Sequence, residues 1–267
     1  MNSHKPIGVF DSGIGGLTVV RALLQLLPHE NIIYFGDTAR VPYGSKSPQV
    51  IREYTLDDAE FLLSQDVKMI VAACNTVSAV ALDVVQKRTN IPVTGVIIPG
   101  ASAAVASSAK KRIGVIGTAG TIASGAYEQA IKQLDSSAEV FSQPCPLFVP
   151  LVEEGWMEHS ATELIAREYL FPLVTQKIDT LVLGCTHYPL LKKSISAVFK
   201  NQILLVDSGE ETAKEVQKLL SLHQLKNTSK ENPNIQFFVS DNPQKFTEIG
   251  ERFLGRKLGV VKKVSVG

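Results

Sequence analysis

The chain of 267 residues has only three cysteines, an odd number in a sequence whose first residues show no charged segment, apolar segment and cleavage site of a secretory leader. That argues against a disulfide framework, leaves free thiols and predicts a cytoplasmic protein. No stretch reaches the roughly 18 uninterrupted apolar residues of a membrane-spanning helix, so membrane insertion is not expected. An excess of charge of either sign is missing too. Lys and Arg number 27 against 26 Asp and Glu, a net charge of +1, which gives no basic stripe for nucleic acid and makes a small local ligand the default partner. Phosphate-binding signatures are also lacking. Neither the loop Asp11-Ser12-Gly13-Ile14-Gly15-Gly16 nor Gly114 to Gly120 supplies Gly-x-Gly-x-x-Gly with a fitting acidic residue, and no Walker-type loop occurs, so no nucleotide cofactor is expected.

What is present is ordinary globular material, 45% apolar and 20% charged, enough for one large domain or two small ones. Apolar, β-branched runs recur at Pro6 to Phe10, Asn31 to Phe35, Lys68 to Ala73, Ile91 to Val96, Arg112 to Ile116, Thr180 to Leu183 and Ile203 to Val206. They read as strands buried on both faces. Helical stretches lie between them: Leu17, Val20, Leu24 and Leu27 stand at helical spacing before Pro28, and Ser47-Pro48 is a cap-and-start signal. Alternation of this kind predicts parallel, doubly wound (flavodoxin-like) α/β sheets, with ligands bound beyond the carboxyl ends of the strands.

The halves also resemble each other. Ile7-Gly8-Val9 matches Ile113-Gly114-Val115, and Ala73-Cys74-Asn75-Thr76 matches Gly184-Cys185-Thr186-His187, at nearly equal offsets. The expectation is two pseudo-symmetric domains, residues 1–96 plus 210–267 and residues 97–209, with the site in the cleft between them and Pro99-Gly100 as the hinge. The tail is read as a helix after Asp207-Ser208-Gly209, a strand Ile235 to Val239 and the apolar run Leu258 to Val264. The polar stretch Leu225 to Pro233 is read as a solvated loop.

Cys74 and Cys185 both end a strand-like run, where a following helix N-terminus favours an anion and would lower a thiol's pKa. A buried cysteine can also be plain apolar filler, which is the reading for Cys145, between Pro144 and Pro146 with no counterpart in the other half. Asn75, Thr76 and Thr186 flank the two thiols, and Thr118 and Thr121 occupy the loop equivalent to Asp11 to Gly16; each could cap a helix, bind a ligand or do both. Asp11, Glu153 and His187 are the ionisable groups that could tune the thiols. Cys-x-His is poor zinc spacing, and no second ligand pair is evident, so no metal is expected.

Two similar thiols facing one ligand suit racemisation, in which one base removes the α-hydrogen and an acid returns a proton to the other face. A single cysteine nucleophile with His187 as base would leave Cys74 idle. A two-lobed solute-binding protein would share the cleft but need no paired thiols.

The segments Asp11 to Gly16, Pro42-Tyr43-Gly44, Ala73 to Thr76, Pro150-Leu151-Val152-Glu153 and Gly184-Cys185-Thr186-His187-Tyr188-Pro189, with Gly117-Thr118 and Thr121, resemble the glutamate racemase family in order and spacing. Aspartate racemase is the nearest alternative. The resemblance implies interconversion of L- and D-glutamate without pyridoxal phosphate, supplying D-glutamate for peptidoglycan, by a protein that is commonly a homodimer. It further implies that Cys74, assisted by Asp11, acts on the D-enantiomer, and that Cys185, assisted by His187 with Glu153, acts on the L-enantiomer. Asp11, Ser12, Tyr43, Gly44, Asn75, Thr76, Thr118, Thr121, Thr186 and His187 would hold the substrate. Without an electron sink, charge developing on the α-carboxylate must be met by oriented N–H and hydroxyl donors in a dry cleft, which predicts domain closure.

Overall fold

The computed structural model describes residues 3–229 and 231–267. Met1 and Asn2 of the N-terminal segment and Lys230 of the polar stretch lie outside the described residues. The first half runs β1 (Ile7–Asp11), α1 (Leu17–Leu26), β2 (Ile32–Gly36), α2 (Pro48–Ser64), β3 (Met69–Ala72), α3 (Asn75–Val80), α4 (Leu82–Arg88), β4 (Val93–Gly95) and α5 (Ile97–Ser107). Then come β5 (Arg112–Gly117), α6 (Ala119–Ala123), α7 (Ala126–Leu134), β6 (Glu139–Pro144), α8 (Phe148–Glu153), α9 (Ser160–Thr175), β7 (Thr180–Gly184), α10 (Lys192–Val198), β8 (Leu204–Asp207) and α11 (Ser208–Leu222). The chain closes with β9 (Ile235–Val239), α12 (Pro243–Leu254) and β10 (Val261–Lys263).

Two sheets result, ordered β10-β9-β2-β1-β3-β4 and β6-β5-β7-β8, and every strand pair in them is parallel. The order β2-β1-β3-β4 in one is the order β6-β5-β7-β8 in the other, so the internal repeat read in the sequence is a repeat of topology. In each sheet the winding reverses between the first and third strands of the repeat, which opens a crevice at their carboxyl ends. The Asp11 loop and Cys74 follow β1 and β3; Thr118 and Cys185 follow β5 and β7.

Alternate residues of the central strands enter different cores, as side chains on a pleated strand must. Val9, Tyr34 and Val71 join Leu181 and Leu183 of the second sheet in one continuous apolar cluster, completed by α1, α11 and α12. Phe10, Phe35 and Ile70 pack under α2 on the opposite face of the first sheet. Val115, Val182 and Val206 do the same in the second sheet with α5 and α7. Burial of both faces explains why these strands are near-continuous apolar runs.

Four expectations need correction. Pro99 and Gly100 are not a hinge loop: they lie buried in the first turns of α5, where a proline needs no intrahelical N–H partner. Cys145 does have a counterpart setting, since it directly follows the edge strand β6, which the sequence reading passed over. The stretch after Leu225 is not simply solvated. Leu225 and Asn227 are buried, and Asn227 donates its backbone N–H to Glu30 and its amide to the His29 carbonyl. Cys185 is followed by a short 3-10 turn, Tyr188–Leu191, before α10 begins, and so does not sit at an α-helix N-terminus.

Candidate active site

A cavity of about 380 Å³ lies where the two sheets' carboxyl ends meet. Its walls come from the loop after β1 (Ser12, Gly13, Ile14), the loop before α2 (Val41 to Gly44) and Cys74, Asn75 and Thr76 on the first side. Thr118, Val149, Pro150, Glu153, Cys185, Thr186 and His187 close it from the second. The two thiols, separated by 111 positions in sequence, thus share one chamber. Asp11 and Thr121 stand one layer behind its lining, both almost fully buried. No Lys or Arg lines the cavity among the described residues, so neutral donors and His187 must meet an anionic ligand there.

On the first side, the Cys74 thiol donates to the Ser12 hydroxyl at 3.6 Å. Burial and the nearby Asp11 carboxylate push this thiol up to about 12, outweighing the Val77 N–H and the Ser12 hydroxyl. Cys74 therefore rests protonated, contrary to the thiolate expected from its place before α3. That helix has only six residues, too short for its dipole to offset full desolvation. Asp11 accepts from the Gly13 N–H at 3.0 Å through Oδ2, whereas its buried Oδ1 has no partner among the described residues. Burial raises its pKa against the opposing effects of the His187 charge and the Gly13 and Gly16 N–H groups.

On the second side, His187 is held at both ring nitrogens. Nε2 meets Glu153 Oε1 at 3.0 Å, and Nδ1 lies 3.9 Å from Cys185 Sγ and 3.5 Å from the Thr186 hydroxyl. Burial alone would lower the imidazole, but its bonds to Cys185 and Glu153 and their charges raise it to about 10. Glu153 is disfavoured by its own burial, yet His187, with Lys245 beyond, holds it below the usual carboxylate range. The two sides are thus chemically unequal, a protonated thiol at Cys74 facing a cysteine paired with a cationic imidazole.

Polar groups stitch the halves together around the chamber. Thr76 of the first half meets Thr118 at 3.0 Å and Thr121 at 3.2 Å, and Thr118 also caps α6 through the Thr121 N–H, so capping and site roles coexist. Thr18 donates to the Thr186 carbonyl at 2.9 Å. Gly15 approaches so closely that a Cβ there would fall 2.6 Å from the His187 ring and overlap the Thr186 hydroxyl. Asn75 accepts from the Tyr127 hydroxyl at 2.7 Å, which leaves its buried Nδ2 donor unpartnered among the described residues, a group placed for an anionic ligand atom. The Tyr43 hydroxyl points the other way, to Asp37 and to Asp58 at 3.2 Å. Arg40 binds the same two carboxylates at 2.5 and 3.0 Å. This cluster anchors the loop whose residues Val41 to Gly44 line the cavity, and no motif in the sequence marked Asp37, Arg40 or Asp58.

Cys145 is fully buried, donates weakly to the Gln143 carbonyl at 3.6 Å, and has its pKa raised by burial and by Cys185. It lies outside the cavity lining. Among the described residues no group of three His, Cys, Asp or Glu side chains could hold a metal ion, and no helix is long and apolar enough to cross a membrane.

Comparison with known proteins places the chain in a family. Residues 7–216 match the family model described as Asp/Glu/Hydantoin racemase. The chain is 52% identical over 262 residues to a glutamate racemase of Geobacter metallireducens, covering 98% of this chain and 97% of that one. A crystal structure of glutamate racemase from Francisella tularensis in complex with D-glutamate superposes with a TM-score of 0.93 at 44% identity, covering 98% of each chain. A glutamate racemase isoform from Bacillus anthracis superposes with a TM-score of 0.95 at 40% identity, over 99% of this chain and 98% of that one. The chain belongs to the Asp/Glu/Hydantoin racemase family, among its glutamate racemases.

Proposed function

We propose that this chain interconverts L- and D-glutamate by a two-thiol acid/base reaction and so supplies D-glutamate for peptidoglycan. The observation that carries the reading is the pair Cys74 and Cys185 on opposite walls of one chamber built by two sheets of equal topology. Its support in kind is the identity with glutamate racemases over nearly the whole chain.

For L-glutamate, Cys185 acts as the thiolate, paired with the His187 imidazolium that Glu153 sets, and becomes a thiol as it takes the α-proton. Cys74, resting as a thiol, delivers a proton to the opposite face. In the reverse direction the roles exchange, with the unpartnered Asp11 Oδ1 behind Cys74 assisting removal of the proton. Charge building on the α-carboxylate is met by the Asn75 amide, the hydroxyls of Ser12, Thr76, Thr118 and Thr186 and the backbone around Gly44, preorganised in a site that excludes bulk water. Thr121 acts through Thr76 and Thr118.

The two sheets correspond to two domains, residues 1–96 plus 210–267 and residues 97–209, that close on the substrate. The protein works in the cytoplasm as a homodimer. An exposed apolar stripe on α9, Leu164, Phe171 and Val174, supports self-association, and sedimentation reads the oligomeric state.

Incubating the pure protein separately with L-glutamate and L-aspartate and following optical rotation tests the substrate. Loss of rotation with glutamate alone is expected, and turnover of aspartate in preference would overturn the assignment. Cys74→Ser and Cys185→Ser should each abolish racemisation; full activity in either would rule out the two-thiol mechanism.

A further inference from the structure

Helix α12 packs on the first sheet through Phe246 and Phe253, yet its last turn reaches the second half of the molecule. There Arg252 Nη1 donates to the carbonyls of Val152 and Glu153, both at 3.2 Å. These are carbonyls of the last turn of α8, where intrahelical N–H partners run out. The chain after α8 turns through Gly155 at φ +81°, with Gly155 N bonded to Val152 O and Trp156 N to Leu151 O, a Schellman closure. The Arg252 guanidinium lies against that turn, since a Cβ on Gly155 would fall 3.0 Å from Nη1. One residue on, the Phe253 ring meets the His187 ring edge-on at 5.1 Å.

An α8 of six residues has too few hydrogen bonds to hold itself in place, so its end is set by what it touches. We propose that Arg252 is a positioning residue: by capping α8 from the opposite half it sets Glu153 against His187, and so ties the meeting of the two halves to proton handling at Cys185. The inference rests on the two-thiol reading above. A cation at a helix C-terminus is favoured by the helix dipole. Both carbonyls are met by the one nitrogen Nη1, a charge-assisted contact that a lysine ammonium can make in part, whereas the guanidinium plane lying against the Gly155 turn has no counterpart in lysine.

The test compares Arg252→Ala and Arg252→Lys with the wild type. For Arg252→Ala, kcat should fall by about tenfold or more, as expected when a catalytic group is misplaced by a fraction of an ångström to an ångström. The isotope effect with α-deuterated L-glutamate should rise while that with α-deuterated D-glutamate falls, because only the step at Cys185 has been slowed. Arg252→Lys should recover part of the loss. In parallel, NMR titration of the His187 imidazole, which faces Cys185, Glu153 and Asp11 as its charged neighbours, should move below the wild-type value without any substrate. An unchanged kcat with an unchanged His187 titration would overturn the proposal, as would a fall in kcat that leaves the ratio of the two isotope effects intact. If the wild type itself fails to turn over glutamate, the functional reading fails, and the His187 titration still reports whether Arg252 sets the Glu153–His187 pair.

Discussion

At His187 two effects oppose each other. Burial favours the neutral ring, whereas the contacts with Cys185 and Glu153 favour the cation and carry it to about 10 from an ordinary value of 6.5. A group whose folded pKa is raised stabilises the fold fully below its unfolded value, and that stabilisation fades as pH climbs through the folded one. The His187 contribution is therefore complete below pH 6.5 and lost by about pH 10. Cys74, raised from 9.0 to about 12, adds a loss of the same sign at higher pH, so the comparison has to be made against a variant that keeps Cys74. The difference in thermal midpoint between wild type and His187→Asn should narrow steadily across the interval from 6.5 to about 10. A constant difference would mean that the ring is neutral in the folded protein.

Between elements, the decisive contacts are those made by loops at the carboxyl ends of β1, β3, β5 and β7. Gly15 has no room for a side chain between the first half and Thr186 and His187. Gly15→Ala should wedge the halves apart, cost about a hundredfold in kcat/KM by misplacing the Glu153–His187 pair, and leave the secondary structure unchanged by circular dichroism. Activity within a fewfold of wild type would show that the halves adjust freely.

The same elements show what the sequence revealed. β1, β3, β5 and β7 are buried on both faces and so read as apolar runs, and the motifs on their loops carried Cys74, Cys185, Asp11 and His187 into view. β6 escaped because it is an edge strand with Glu139, Ser142 and Gln143 at least partly exposed; the repeat offset from β2 would have located it. Pro99-Gly100 misled because a proline in a helix's first turn looks, in sequence, like a break. Arg252 and Phe253 were invisible, since their roles arise from α12 crossing to α8, a contact about 100 residues long in sequence that no local pattern records.

Across the whole molecule, the buried Lys68–Glu30 pair joins distant segments. Lys68 Nζ binds Glu30 Oε2 and the Ser3 carbonyl, both at 2.5 Å, and Glu30 also accepts from Asn227. Burial lowers the Lys68 pKa even so, a sign that the pair serves to fix segments more than to add net stability. Lys68→Met should cost about 3–5 kcal/mol in chemical denaturation, because it strands a buried carboxylate, and adding Glu30→Leu should recover much of that. A loss of less than about 1 kcal/mol would be the behaviour of a solvated pair.

The topology repeat places two thiols on either side of one chamber, and the claim that both transfer protons is tested most directly in D2O. With L-glutamate and pure protein, early D-glutamate should carry solvent deuterium at Cα almost completely, while the remaining L-glutamate keeps its original hydrogen. Product that retains the substrate hydrogen, or folded protein that exchanges none at all, would contradict the two-thiol account.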